Sequence, residues 1–386
     1  MMNSTFDDIR PYRDEEISAA MSRIASDPMF PVLASYVFPD KSVDEARELV
    51  RSLDSIDDFQ AKVMYVANQR IIENTIEELM YDGLDNIDRE SRYIYISNHR
   101  DIMLDASLLQ KILVDEGIGT SEITFGANLM QGQLVIDIGK SNKMFKVERP
   151  GGSMREFYKA SMHLSEYIRH AVVDRKQSIW IAQRNGRTKD GFDHTDQGII
   201  NMFRMSGDND KVKSLAELNL LPVSVSYEWE PCDFLKALEL YARSLGPYEK
   251  KEGEDLNSIL TGIMQPKGRV YIYICPPLTE AELSPYAGLL SNDFNKRVAM
   301  MVDKRICSTY HLWPNNYIAC DMLSGTSEYS EKYTLEQKKA FEDHMSQLEK
   351  YAADCNIDEL KKIFLGIYAN PVTSAAHFVD NIGLTR

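Results

Sequence analysis

The stretch Tyr93–Asp105, YIYISNHRDIMLD, decides the fold. It opens with alternating Tyr and Ile, passes through the polar run Asn98-His99-Arg100-Asp101, and continues as Ile102-Met103-Leu104 into an apolar-periodic segment. A short β-branched and aromatic run, a polar turn and a helical pattern in immediate succession make up the strand–loop–helix unit of α/β sheets. The same kind of run recurs as EITFGA (122–127), SIWIA (178–182), LPVSVSY (221–227) and RVYIYI (269–274), with helical stretches near 102–115 and 152–173. The pattern predicts an α/β fold, a mixed central sheet flanked by helices.

Outward from that unit, residues 1–90 read as a helical leader. Ser42-Val-Asp-Glu is a capping pattern, and Phe59, Val63, Val66, Ala67, Ile71, Ile72, Ile76, Leu79 and Met80 return every three to four residues, which predicts a helix over about 57–82. The α/β unit is expected over 91–330. A C-terminal helical segment is expected over 331–386, opening on Thr334-Leu-Glu-Gln. The polar run 244–257 reads as a loop or the start of a helix. Pro222, near the start of its strand, predicts an edge or first-residue position.

The chain has 386 residues and a net charge of −15, so no broad cationic face exists for a nucleic-acid backbone, and an anionic ligand has to be met locally. Five scattered cysteines without a Cys-x-x-Cys pair point to reduced thiols; neither a disulfide framework nor a metal site is expected. The N-terminal sequence lacks the apolar core of a secretory signal, and no apolar run approaches the ~18–20 residues needed to span a bilayer. A cytoplasmic protein is expected, peripheral at the inner face of the membrane if it works on lipid.

Four stretches carry candidate chemistry. In SNHRDIMLD (97–105), a His with Asp neighbours stands where a strand ends, the place at which open α/β sheets put their sites. Asp101 directly precedes the apolar run and reads as the helix cap, which leaves Asp105, one turn on, as the partner of His99; Asp101 is the alternative. In GKSNKMFKVERPGGSMR (139–155), Lys140, Lys143, Lys146, Arg149 and Arg155 stand against the single acid Glu148 and surround a Gly-Gly helix start, a pattern suited to a phosphate or to a solvated face. In SIWIAQRNGRTKDG (178–191), Asn185, Gly186 and Arg187 follow a strand and allow close backbone approach to a ligand, as a plain turn does too. The fourth is the strand containing Pro222.

In their order, these four resemble the four blocks of the glycerolipid acyltransferases, the glycerol-3-phosphate and 1-acylglycerol-3-phosphate enzymes. Asn98-His99 matches the first block, Arg149 the second, Gly186-Arg187 the third and Pro222 the fourth, over about residues 90–230. The whole chain also resembles soluble bacterial proteins of that type. The resemblance implies an O-acyltransferase of phospholipid synthesis that moves a fatty acyl group from acyl-CoA or acyl-carrier protein to a hydroxyl of a glycerol-phosphate or lysolipid acceptor, with no metal or redox cofactor. It implies His99 and Asp105 as catalytic residues. Lys143, Lys146, Arg149, Asn185, Gly186 and Arg187 would bind substrate.

The chain departs from that family at two places. Five residues separate His99 from Asp105 where the family has four, and Asn185 stands where the family carries Glu, with nothing between Gly186 and Arg187. Two other functions fit these departures: an acyltransferase for another acceptor such as an aminoacyl lipid, or an inactive acyltransferase fold that binds lipid or acyl carrier. The apolar residues of GANLMQGQLVI (126–136) are the candidate membrane contacts, or else a plain buried strand and turn.

Overall fold

The computed structural model describes residues 6–148, 152–351 and 355–380. Seven strands, β1 (Ile76–Asp82), β2 (Ile94–Ser97), β3 (Glu122–Gly126), β4 (Met144–Val147), β5 (Ile179–Ala182), β6 (Leu220–Tyr227) and β7 (Gly268–Ile274), form one sheet in the order β1-β7-β6-β2-β5-β3-β4. Only β6 and β7 pair antiparallel, so β2 to β6 all end on the same edge. This is the mixed α/β sheet that the alternation predicts.

Strands buried on both sides read as continuous apolar runs, and β2 shows why. Ile94 and Ile96 face a core closed by helices Met154–Arg169, Gln197–Met205 and Ser291–Thr309. Tyr93 and Tyr95 face the opposite core, closed by helices Tyr65–Thr75 and Leu104–Asp115. A third core lies among helices Asp14–Ser26, Phe30–Val37 and Val43–Arg51. Helices Asp233–Leu245, Pro314–Ser324, Leu335–Ser346 and Ile357–Asp380 enclose a fourth, with Phe341, Phe364 and Tyr368 at its centre. No helix among the described residues is long and apolar enough to cross a membrane.

Two local expectations are corrected, and one strand is added. The helix expected to reach residue 82 ends at Thr75, and Ile76–Asp82 is the edge strand β1, paired with β7 alone. Its charged residues, which blunt an exposed edge, leave only a weak strand pattern in the sequence. The basic stretch 139–155 contains β4. Pro222 lies inside the sheet between β2 and β7, opposite Ile96. The cost there is one ladder bond: Cys275 N–H, next after β7, still donates to Pro222 O at 2.9 Å, and only the reciprocal donor is missing.

Candidate functional site

His99 follows the carboxyl end of β2, and helix Leu104–Asp115 brings Asp105 back to it. His99 Nδ1 lies 2.9 Å from Asp105 Oδ2. The same oxygen accepts the backbone N–H of Arg100 at 2.7 Å and of Asp101 at 3.0 Å, and Oδ1 accepts the Tyr227 hydroxyl at 2.8 Å. A carboxylate that collects this many donors offers only acceptor capacity, which assigns the ring proton to Nδ1 and leaves the lone pair on Nε2. Nε2 has no hydrogen-bond partner among the described residues, and the side chain keeps 13% of its surface exposed. Trp180 stands edge-on to the ring, with centroids 5.8 Å apart.

Asp101 has a different task. Its Oδ1 accepts the N–H groups of Met103 and Leu104, both at 2.9 Å, and so closes the start of the helix. Its Oδ2 is buried without a partner. Helix Glu254–Met264 packs so closely against it that a Cβ on Gly262 would lie 2.1 Å from that oxygen.

The turn 98–101 is held from beneath by buried charge. Arg100 is fully buried; its Nη2 contacts Asp193 Oδ2 at 2.5 Å, and Lys236 Nζ donates to both Arg100 O and Glu230 Oε1 at 2.6 Å. Burial opposes the guanidinium charge, but Asp193 and Glu230 outweigh it and raise the Arg100 pKa well above its ordinary value. Asn98 pairs with Val225 N–H and C=O, both at 2.8 Å, and so clips β2 to β6. Thr188 N–H donates to His99 O at 2.7 Å, which ties the 183–191 loop to the turn 98–101.

That tie brings Arg187 to the site. Arg187 is buried beside Cys232, and its Nη1 has no partner among the described residues. Gly186 adopts a left-handed φ of 74°, and Asn185 is exposed. Lys143 is not brought to His99. It precedes β4 at the level of Ile94, so its position lies about 20 Å from His99 across three strand spacings and five residues of strand rise. There its ammonium donates to Thr120 Oγ1 at 2.8 Å and faces Asp57. Lys146, on the outermost strand, pairs with Glu148 at 2.5 Å. Arg149 lies outside the described residues. The expectation that Lys143 binds substrate beside His99 is therefore corrected, since β4 holds it at the other end of the sheet.

No family model and no curated protein matches this chain. Among solved structures it is similar to the 1-acyl-sn-glycerophosphate acyltransferase PlsC from Thermotoga maritima, at 13% identity and a TM-score of 0.37, over 75% of this chain and 94% of that one.

Sequence reading missed Tyr227, Asp193, Glu230 and Lys236. Tyr227 carried a usable signal, since it ends a strand parallel to β2 and therefore falls on the same edge as His99. The other three come from loops and a helix whose proximity only the fold reveals. Among the described residues no group of three or more His, Cys, Asp or Glu side chains is arranged to hold a metal ion.

Proposed function

We propose that the protein is an O-acyltransferase that moves a fatty acyl group from a thioester donor to a hydroxyl of a glycerol-phosphate-type acceptor. The observation that carries this is the His99 Nδ1–Asp105 Oδ2 contact of 2.9 Å beside an unpartnered Nε2. Nε2 takes the proton of the acceptor hydroxyl as its oxygen attacks the thioester carbonyl, and Asp105 stabilises the resulting imidazolium. The tetrahedral intermediate then expels the thiolate, which receives that proton from Nε2. The free donor of Arg187 suits an anionic acceptor. Met103, Leu129 and Ile263, partly buried against the apolar cluster that contains Trp180, suit an acyl chain.

The test is thioester consumption with long-chain acyl-CoA or acyl-carrier protein, each with glycerol 3-phosphate, lysophosphatidate and a panel of hydroxylated and amino-acylated lipids. Acceptor-dependent transfer that H99A abolishes is the expected result. Thioester turnover equal in wild type and H99A for every acceptor would sink the proposal, and transfer to a non-phosphorylated acceptor alone would move it to another lipid class.

A further inference from the structure

Helix Met154–Arg169 changes character along its length. In its second half Ser165, Tyr167 and Ile168 are buried, and Leu164 packs against the core beneath the sheet. At its start every residue from Gly152, two before the helix, to Lys159 is exposed, including Met154 at 84% and Phe157 and Tyr158 at 57% each. At 100° per residue, Met154, Phe157 and Tyr158 share one narrow face, and that face continues directly into Leu164, Ser165 and Ile168. The core-facing stripe thus runs past the body of the protein. The first six residues carry it about 9 Å beyond what covers it.

The direction of this overhang follows from the topology. The helix leaves the carboxyl end of β4 and returns to the amino end of β5, and both strands run parallel to β2. Its free end therefore projects from the edge of the sheet on which His99 sits. Arg155 and Lys159 lie one turn apart, Arg155 on the flank of the apolar face and Lys159 further round toward the opposite side, and neither makes an ion pair among the described residues. Glu156, the one acid of this segment, folds its carboxylate back onto the Ser153 N–H at 2.9 Å and hydroxyl at 3.0 Å. In a chain of net charge −15, this tip offers cations outward beside two aromatic rings.

We propose that the overhanging first turns of helix Met154–Arg169 are a membrane-docking element, with Met154, Phe157 and Tyr158 entering the interface of an anionic bilayer and Arg155 and Lys159 on its headgroups. A convex apolar tip with flanking cations suits the headgroup boundary, where aromatic rings and basic side chains both find partners. The acidic remainder of the surface is repelled from anionic lipid, so the tip orients the carboxyl edge of the sheet toward the bilayer. The proposal gives the lipid acceptor proposed above a route to His99, and its physical basis is independent of the reaction. The stretch 126–136, which runs from the end of β3 into helix Gln133–Ser141, has no comparable face: Val135 is exposed, but Met130 is buried and Leu129 and Ile136 pack inward.

Sedimentation with vesicles tests it. Wild-type protein should pellet with vesicles of equal parts phosphatidylcholine and phosphatidylglycerol, bind far less to pure phosphatidylcholine, and be released by high salt. F157E/Y158E should weaken anionic-vesicle binding by roughly tenfold or more, and R155E/K159E should abolish the preference for anionic over neutral vesicles. Tryptophan fluorescence of F157W should shift to the blue on vesicle addition. Transfer from a short, water-soluble thioester to glycerol 3-phosphate, neither of which is held in a bilayer, should be unchanged in F157E/Y158E, which separates failure of docking from failure of the proposed reaction. Equal vesicle binding by wild type and F157E/Y158E, or none by wild type, overturns the proposal. So does a dimer in solution that F157E/Y158E converts to monomer without altering vesicle binding, because a second copy would then cover this face.

Discussion

The Tyr227 hydroxyl donates to Asp105 Oδ1 at 2.8 Å, and both side chains are buried. Burial first, and then the Asp105 charge, raise the Tyr227 pKa well above its ordinary value, so the phenol remains a donor. It fixes the carboxylate plane from the side opposite His99. Y227F should leave Oδ1 buried and unsatisfied, lowering stability by about 1–3 kcal/mol and kcat by roughly tenfold, with KM little changed. Wild-type melting and turnover in this variant would show that the hydroxyl is dispensable.

The two aspartates should separate cleanly on substitution. In D105N the amide oxygen still accepts the Arg100 and Asp101 N–H groups and Nδ1–H, while the NH2 group turns to the Tyr227 oxygen, so the fold should survive. What is lost is the negative charge that stabilises the imidazolium, which should cost on the order of 10^3-fold in kcat. D101N retains Oδ1 on the Met103 and Leu104 N–H groups and should keep most activity, whereas D101A should lose about 1 kcal/mol of stability with the cap. Turnover by D105N at the D101N rate reverses these assignments.

The pairing of His99 with Asp105 was legible in the sequence because both its elements are local: a strand end, a cap at Asp101, and one helical turn. The placement of Lys143 was not legible. Its neighbours in sequence suggested a phosphate loop, but the pairing of Met144 with Ile123 starts a strand there and fixes Lys143 at the wrong end of the sheet. Strand register is a non-local property, and a four-residue strand leaves almost no periodicity to read. The Arg100–Asp193–Glu230–Lys236 cluster was invisible for a similar reason, since its members span positions 100 to 236 and meet only once β2 and β6 are adjacent.

Helix Glu254–Met264 owes its close seat on the turn 98–101 to Gly262. A methyl group there meets Asp101 Oδ2 at 2.1 Å, and that carboxylate cannot swing aside without releasing the two backbone N–H groups it caps. G262A should therefore displace the helix or the cap, lowering stability by about 1–3 kcal/mol despite the better helix propensity of Ala. A thermal melt at or above that of the wild type would mean that the contact is soft.

Asp303, on helix Ser291–Thr309, gives the protein a calculable response to pH. Burial is the largest influence on its carboxyl and raises it; the Thr195 N–H at 2.7 Å and hydroxyl at 2.6 Å pull the other way; Asp193 adds a smaller push, and the result is a pKa of about 6. An unfolded aspartate titrates near ~3.9, so between the two values the folded state holds the extra proton. Stability from this group is thus fully present below about pH 4, declines as pH rises, and is exhausted above about pH 6, a total on the order of 3 kcal/mol. D303N keeps an acceptor for Thr195 and has nothing to titrate. The stability of D303N relative to wild type, from urea unfolding, should therefore increase between pH 4 and pH 7 and then level off, since titrations elsewhere are common to both proteins and cancel. Parallel stability curves across that interval would show that the Asp303 carboxyl is not raised.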